Sequence, residues 1–272
     1  MRRASEALRL AAAGLLTAAS LGAAAQAAAP APAGCTKPLY LTFDTGHMGV
    51  AQLVADVLKR QQVRATFFAA DEKTLDGGSS LGPEWAAWWK ARAGEGHEFA
   101  SHTLDHVYWR ADLPGDGPRF RVSPSQGAQS GRQFAWTGEQ YCGQIRQAAE
   151  RLQAYTGVRP LPLFRAPGGK TSPRLLAATE ACGFRHVGWA AAGFLGDELP
   201  SESHPNAALL ARALRDLRAG DILVAHLGIW SRKDPWAPAV LEPLIVGLKD
   251  KGFCFRTLRE HPAYRDWIGQ AK

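Results

Sequence analysis

The chain has 272 residues, of which 46% are hydrophobic and 21% are charged, and its formal net charge is +7. The basic residues are scattered, with no run and no stripe interleaved with aromatic side chains, so the composition argues against nucleic-acid binding. We expect this charge to lie on a solvated surface that favours anionic polymers of the cell envelope.

The N-terminus has the pattern of a secretory signal peptide. Arg2, Arg3 and Arg9 make a positive start, an Ala/Leu-rich run extends over Leu10–Ala25, and Ala25-Gln26-Ala27 is a small-x-small cleavage site. An uncleaved membrane anchor is the alternative, but the run is shorter than the roughly 20 apolar residues that a spanning helix needs. We therefore expect export to the periplasm or the medium, with cleavage of residues 1–27.

The remaining chain of about 245 residues suits a single domain of the barrel type. An Ala/Pro-rich linker is predicted over 28–38, and the catalytic domain is predicted over 39–272. Strands are predicted at Leu39–Phe43, Ala65–Ala69, His97–Ser101, Leu161–Phe164, Arg185–Trp189, Asp221–Ala225 and Phe253–Leu258. Helices are predicted at Gly49–Gln61, Pro83–Ala93, Thr137–Tyr155, Pro173–Ala181, Asn206–Leu217 and Ala237–Lys249, with Thr137 as an N-cap.

About seven strands thus alternate with helices, which indicates an α/β fold with parallel strands inside and helices outside. An open doubly wound sheet is the rival architecture, but no glycine-rich dinucleotide-binding motif follows the first strand. Residues 111–135 are rich in Gly, Pro and Ser, and we expect a long functional or mobile loop there.

Four cysteines in an exported chain predict two disulfides, and free buried thiols are the alternative. Cys35 precedes the first strand and Cys254 lies in the last. Those strands are neighbours if the barrel closes, so we prefer Cys35–Cys254 with Cys142–Cys182 among the three possible pairings.

Several predicted strands end in a chemically reactive residue, namely Asp44, His102, Arg165 and His226. In an α/β barrel all strand C-termini open onto one face, where such enzymes keep their chemistry. His106 follows His102 at a spacing that, on a helical turn, places two imidazoles about 5–6 Å apart at Cβ. A carboxylate, a histidine pair, an arginine and a further histidine at one face predict a metal-assisted hydrolase.

Each residue also has a simpler structural explanation. Asp44 could be a turn residue, Arg165 could form a structural ion pair, and His226 could be a core histidine. Two histidines at this spacing, His102 and His106, are often incidental. Only the combination is specific.

The combination resembles the polysaccharide deacetylase family, the NodB-like carbohydrate esterase family 4. The motifs that carry the resemblance are Thr42-Phe43-Asp44 with Gly46, Ala65-Thr66-Phe67-Phe68, His102-x-x-x-His106, Arg165-x-Pro167-x-Gly169 and the strand ending at His226. They occur in the family's order and spacing and cover residues 38 to 260.

This resemblance implies a distorted (β/α)7 barrel that removes acetyl groups with the help of a divalent metal, with Zn²⁺ as the first candidate. It implies that Asp44 is the general base, Arg165 its orienting partner and His226 the general acid, with His102 and His106 as metal ligands. The implied substrate is an N-acetylated glycan of the cell envelope or an extracellular glycan, such as peptidoglycan or a chitooligosaccharide. Removal of O-acetyl groups is the alternative reaction.

The chain departs from the family pattern at Thr45, where the family usually has a second Asp that binds the metal. Catalytic zinc normally has three protein ligands. We therefore advance His47 as the third ligand, and the alternative is that His47 is a loop residue and the metal binds weakly or not at all. A catalytically silent, metal-free glycan-binding protein on the same barrel is the corresponding alternative function.

Two further expectations concern the surroundings of the site. The family resembled here often has acidic residues and a Trp after the strand that ends at Trp189, whereas this chain has no acidic residue there before Asp197. The partner that supports Arg165 in the family is therefore either missing here or moved to Asp197. Trp230 and Trp236 flank Ser-Arg-Lys-Asp-Pro just after His226, where they could stack on sugar rings or form a hydrophobic lid. Arg232 and Lys233, in the same segment, could meet an anionic glycan.

Overall fold

Strands and helices alternate along residues 34–271, the part of the chain that the computed structural model describes. The strands are β1 (Pro38–Asp44), β2 (Thr66–Ala69), β3 (Glu98–Ser101), β4 (Val107–Asp112), β5 (Arg119–Pro124), β6 (Phe134–Thr137), β7 (Leu163–Phe164), β8 (Arg185–His186), β9 (Ile222–His226) and β10 (Cys254–Arg256). The helices are α1 (Ala51–Arg60), α2 (Ala86–Gly94), α3 (Gly138–Thr156), α4 (Pro173–Ala181), α5 (Asn206–Asp216), α6 (Glu242–Asp250) and α7 (Arg265–Gln270).

Seven of these strands form one parallel sheet that curls into a distorted barrel. Its neighbours run in the order β9, β1, β2, β3, β7 and β8, and β10 pairs with the first half of β1. The segment after β8 returns to β9 through a parallel bridge between Phe194 and Val224. The predicted α/β class and distorted barrel are therefore confirmed. In this sheet β1 and β9 are in register with Asp44 beside His226.

The barrel strands are apolar on both faces because helices cover the outside of the sheet. Six of the seven residues of β1 are buried. Helix α1 places Val54, Val57 and Leu58 in the core. Helix α3 begins with a capping box in which the Thr137 hydroxyl accepts the Gln140 amide, as predicted for this N-cap.

The predicted long loop at 111–135 is wrong. Strands β4, β5 and β6 form a separate antiparallel sheet across this region. Strand β5 alternates buried Phe120 and Val122 with exposed Arg119 and Arg121, the period of a half-buried strand. This small sheet stands beside the mouth of the barrel. Helix α7 was not predicted from the sequence either.

Both predicted disulfides are present. Cys35 is bonded to Cys254, with 5.9 Å between the Cα atoms, and Cys142 to Cys182, with 6.5 Å. The first bond ties the chain before β1 to β10, and the second joins α3 to the end of α4. The predicted signal peptide, 1–27, and the linker up to residue 33 lie outside the described residues. Within the described part of the chain, no helix is long and apolar enough to cross a bilayer.

Candidate active site

A cavity of about 330 Å³ opens at the carboxyl ends of the barrel strands. Its wall includes Asp44 at the end of β1, His102 just after β3 and His226 at the end of β9. The turn after β3 adds His106, and the small antiparallel sheet adds Tyr108. One cavity is thus shared by four of the residues that the sequence singled out, namely Asp44, His102, His106 and His226.

Asp44 and Arg165 form a buried ion pair at the floor of this site. Arg165 Nη1 lies 2.7 Å from Asp44 Oδ1, and both side chains are almost fully enclosed. Burial favours the neutral carboxyl, but the charge of Arg165, then those of His102 and His226, hold the pKa of Asp44 below its usual value. Asp44 is therefore a carboxylate at neutral pH.

The guanidinium of Arg165 is fixed on several sides, which orients the carboxylate it binds. Its Nε donates to the Val187 carbonyl at 3.1 Å, and Nη2 lies 3.4 Å from the Gly188 carbonyl. The planar group also lies over the Phe68 ring, 4.1 Å from the centroid. Backbone carbonyls after β8 thus provide the support for which Asp197 was suggested.

His102 and His106 present the same nitrogen to the cavity. His102 Nδ1 is 2.9 Å from the Arg165 carbonyl, which can only accept, so Nδ1 carries the proton. His106 Nδ1 is 2.6 Å from Ser125 Oγ, whose hydroxyl donates to the His106 carbonyl, so this Nδ1 also donates. In both rings Nε2 is therefore the nitrogen left to face the cavity, and in His102 it lies 3.6 Å from Asp44 Oδ2. Such fixing of one nitrogen is typical of metal-binding histidines.

The two imidazole rings lie close together, with 4.8 Å between their centroids, but not on a helical turn as predicted. The backbone makes a tight turn in which Thr103 and His106 have positive φ values of 64° and 47°. The Thr103 hydroxyl accepts the Val107 amide at 2.7 Å, which stabilises this uncommon conformation. Burial lowers the pKa of His106 to about 4, so its ring is neutral at pH 7.

Asp197 binds His226 rather than Arg165. Both carboxylate oxygens lie 3.1 Å from His226 Nδ1, and Oδ2 also accepts the His226 backbone amide at 2.6 Å. Nδ1 thus donates to Asp197, and Nε2 is the nitrogen left for the cavity. Burial works against the charged ring, but Asp197, Asp44 and Glu198 outweigh it and raise the pKa of His226 to about 10.

Glu72 is a site residue that the sequence analysis missed. It follows β2, lines the same cavity, and its Oε2 accepts the Thr45 hydroxyl and, at 2.5 Å, the Gly46 amide. Burial alone would raise the pKa of Glu72, but His106, the Thr45 hydroxyl and His102 together outweigh burial. The net pKa is lowered, so Glu72 is ionised. The available signal was an acidic residue in the loop after a barrel strand, but the rule that identified Asp44 inspected only the last residue of each strand.

His47 is not brought into this cavity. It lines a neighbouring pocket of about 200 Å³, its Nδ1 accepts the Gly49 amide at 3.0 Å, and its ring packs on Trp230. The β1–α1 loop that carries it is pressed against Gly228, since a Cβ on Gly46 would meet the Gly228 carbonyl oxygen at 2.1 Å. Gly46 also has a positive φ of 85°, which a side chain rarely tolerates.

The donor set at the cavity suits a divalent transition metal in kind. Two imidazoles, those of His102 and His106, face the same space as the carboxylates of Asp44 and Glu72. Between residues 34 and 271, however, no three His, Cys, Asp or Glu side chains are already gathered as a complete metal site. The histidine pair therefore fits as two ligands, and no third ligand is assembled with it among residues 34–271.

The aromatic segment after β9 divides into an exposed part and a buried part. Trp230 is 60% exposed and lines the cavity, whereas Trp236 is packed in the core. The expectation that Arg232 meets a glycan is wrong. Arg232 is buried, and its guanidinium donates to backbone carbonyls, including that of Leu199 at 2.6 Å, and to the Asn206 side chain.

Comparison with known proteins identifies related chains and related folds. A chitooligosaccharide deacetylase of Azorhizobium caulinodans is 24% identical over 232 residues, covering 81% of this chain and 92% of that protein. The Bc1960 peptidoglycan N-acetylglucosamine deacetylase superposes with a TM-score of 0.60 at 22% identity, over 82% of this chain and 87% of that one.

A family 4 acetyl xylan esterase from Clostridium thermocellum, solved with a cobalt ion, gives a TM-score of 0.62 at 22% identity, over 85% of this chain and 92% of that one. At such identities the two solved structures establish the fold alone. The family model described as polysaccharide deacetylase matches residues 32–187, more than half of the chain. The resemblance inferred from the motifs is thereby confirmed, and the chain belongs to the polysaccharide deacetylase family.

Proposed function

We propose that the protein is an exported, divalent-metal-dependent hydrolase that removes N-acetyl groups from amino sugars of an envelope or extracellular glycan. The observation that carries this proposal is the register of β1 and β9, which sets Asp44 beside His226 on the rim of the cavity that holds His102 and His106. A carboxylate, a protonated imidazole and a histidine pair can supply the base, the acid and the metal ligands for amide hydrolysis.

Export and substrate class are supported by independent features. Two disulfides are typical of oxidising compartments, and the N-terminal sequence has the pattern of a cleaved leader. The relatives are described as acting on a chitooligosaccharide and on peptidoglycan N-acetylglucosamine. Both are glycans of N-acetylated amino sugars.

Asp44 is the general base in this proposal. Arg165 holds Oδ1, so Oδ2 is the oxygen that can take a proton from a water in the cavity. As that proton moves to Asp44, the water oxygen bonds to the acetyl carbonyl carbon and a tetrahedral adduct forms. Arg165 keeps the carboxylate ionised and oriented before the step.

His226 is the general acid. Asp197 holds its Nδ1 proton, so the proton on Nε2 is the one available to the amine that leaves. Because an amine is a poor leaving group, the C–N bond breaks as this proton is transferred, and acetate and a free amino sugar result. The raised pKa of His226 keeps the ring protonated at neutral pH.

His102 and His106 would hold the divalent cation through their Nε2 atoms. When bound, the cation supplies Lewis acidity, which polarises the acetyl carbonyl and acidifies a neighbouring water. The Arg165 carbonyl and Ser125 fix the two rings for this role, through Nδ1 of each imidazole. Trp230, exposed at the mouth, offers an aromatic face for a sugar ring.

Acetate release tests the proposal. The purified mature protein is loaded with Zn²⁺ or Co²⁺ and then incubated with one substrate per reaction. The substrates are N-acetylglucosamine oligomers, peptidoglycan fragments and acetylated xylan. We expect release from at least one N-acetylated glycan, with loss of release after chelation. Release from xylan alone would redirect the assignment to O-deacetylation. Binding of the oligomers without acetate release under any metal would favour the silent glycan-binding alternative.

Replacement of Asp197 by Asn should move the alkaline limb of the pH–kcat/KM profile to lower pH. The protonated form of His226 is the active one, so activity falls as pH rises through its pKa. Without the negative partner that pKa drops toward its ordinary value, and the shift should be at least about one pH unit. Asp197→Glu should restore much of the wild-type profile, whereas a purely structural role of Asp197 would lower activity equally at every pH.

A further inference from the structure

Thr45 stands where the family usually places its second aspartate, and its hydroxyl is fully engaged in hydrogen bonds. It accepts the Ala70 amide at 3.1 Å and donates to Glu72 Oε2. Thr45 is also completely buried. A neutral hydroxyl used in this way is a poor third ligand, but it binds the carboxylate of Glu72, from the loop after β2, beside the position where the family has its aspartate.

The segment that carries Glu72 is held in place by its backbone. The Glu72 amide donates to Ser80 Oγ at 2.8 Å, and the Glu72 carbonyl accepts the Ser80 amide at 2.8 Å. Ser80 is fully buried, and its carbonyl accepts the indole N–H of Trp89 at 2.8 Å. Glu72 is therefore anchored on the core at its backbone, while its carboxylate extends into the cavity.

The carboxylate retains an oxygen for a cation. Both hydrogen bonds, from Thr45 and Gly46, reach Oε2, and within residues 34–271 no donor reaches Oε1. Glu72 lines the same cavity as His102 and His106, whereas His47 lines the pocket beside it. Of the two candidates for a third ligand, Glu72 alone faces the histidine pair.

We propose that Glu72 supplies the third ligand of a divalent transition-metal site with His102 and His106, and that Thr45 orients its carboxylate. This inference rests on the proposed function and deepens it. Two histidines and one glutamate form a ligand set found in catalytic zinc sites. In this proposal the family's aspartate ligand is replaced by a glutamate from the loop after β2, with Thr45 as its hydrogen-bond partner.

Metal content is the direct test. Wild type, Glu72→Gln, His47→Ala and the control Glu198→Gln are dialysed against Zn²⁺ and then metal-free buffer, and bound zinc is measured by mass spectrometry. Titration gives the Kd for Co²⁺, and near-UV circular dichroism checks the fold. Glu198 is exposed and lines the same cavity, so its substitution removes a similar charge without removing the proposed ligand.

We expect Glu72→Gln to lose bound zinc and to weaken Co²⁺ binding by at least about 100-fold, beyond what loss of an outer hydrogen-bond partner usually costs. His47→Ala and Glu198→Gln should bind as wild type does. The exchange variant Thr45→Asp/Glu72→Gln should recover binding, because it returns the carboxylate to the family's position. Recovery also shows that Glu72→Gln alone does not act by unfolding the site.

Two results overturn the inference. One is wild-type metal binding in folded Glu72→Gln, particularly if His47→Ala loses the metal. The other is absence of stoichiometric metal in a wild type that releases acetate, which leaves the deacetylase activity standing but removes its proposed metal dependence. If Glu72→Gln loses the metal while wild type releases no acetate from any glycan, the ligand assignment holds and the proposed function fails.

Discussion

Asn in place of Asp44 is expected to lower kcat/KM for acetate release by about 10²–10⁴-fold, the usual contribution of a general base. The amide has nearly the same shape and can still accept the hydrogen bond from Arg165 Nη1, but it cannot take a proton from water. The measurement is the steady-state rate on the glycan that wild type deacetylates best, at a temperature well below the unfolding transition.

Asp56→Asn is the matched control for that variant. Asp56 lies on the exposed face of α1, where it accepts a hydrogen bond from the Gln52 side chain at 2.8 Å, so the same chemical change occurs outside the cavity. We expect wild-type kinetics from this control. If folded Asp44→Asn also retained wild-type kcat/KM, another group would have to be the base.

Arg165→Ala is expected to lower the free energy of unfolding by about 3–5 kcal/mol, since it removes one partner of a buried ion pair. The carboxylate of Asp44 would remain enclosed without its cation, and the Val187 carbonyl and the Phe68 face would lose the guanidinium that contacts them. Urea unfolding followed by circular dichroism measures the change.

A second substitution separates the charge effect from lost packing. In the Arg165→Ala background, Asp44→Asn removes the unpaired charge, so the double variant should be more stable than Arg165→Ala alone. Arg60→Ala breaks the ion pair with Glu242, which is exposed, and should change stability little. Equal losses from Arg165→Ala and Arg60→Ala would mean that the buried pair is not a main support of the barrel floor.

The strand-end residues could be predicted because the apolar run that marks each strand lies directly before them in the sequence. An apolar run that ends in Asp44 or His226 indicates a buried parallel strand whose last residue faces the mouth of the barrel. Once the strands are parallel, convergence of these residues follows from topology and needs no knowledge of side-chain contacts. The pairing of Cys35 with Cys254 followed from the same topology.

Other features depend on contacts that the sequence does not display. The left-handed turn at Thr103 and His106 replaces a helical turn because the Thr103 hydroxyl caps Val107, a bond that spacing alone does not reveal. Arg232 lies near the site in sequence, but carbonyls from residues 199 and 204 enclose it. The small antiparallel sheet was not predicted because the Gly and Pro residues around its strands indicated a loop, although β5 has a clear two-residue period.

Glu72, in the site itself, also depends on contacts that the sequence does not display. It lies beyond the last residue of β2, so a rule that inspects only strand ends passes over it. Its direction is set by the hydrogen bonds between its backbone and Ser80, eight residues further along the chain. Its value as a ligand becomes apparent only beside Thr45, whose substitution for aspartate was visible in the sequence but whose partner was not.

Crystals of the active protein soaked in Zn²⁺, with diffraction recorded at the zinc absorption edge, examine the central claim directly. The paired histidines predict one strong anomalous peak about 2.0–2.1 Å from Nε2 of both His102 and His106, the usual zinc–imidazole distance, within the cavity that Asp44 and His226 share. Absence of a peak between these two rings, in crystals from a preparation that releases acetate only with zinc, would contradict it.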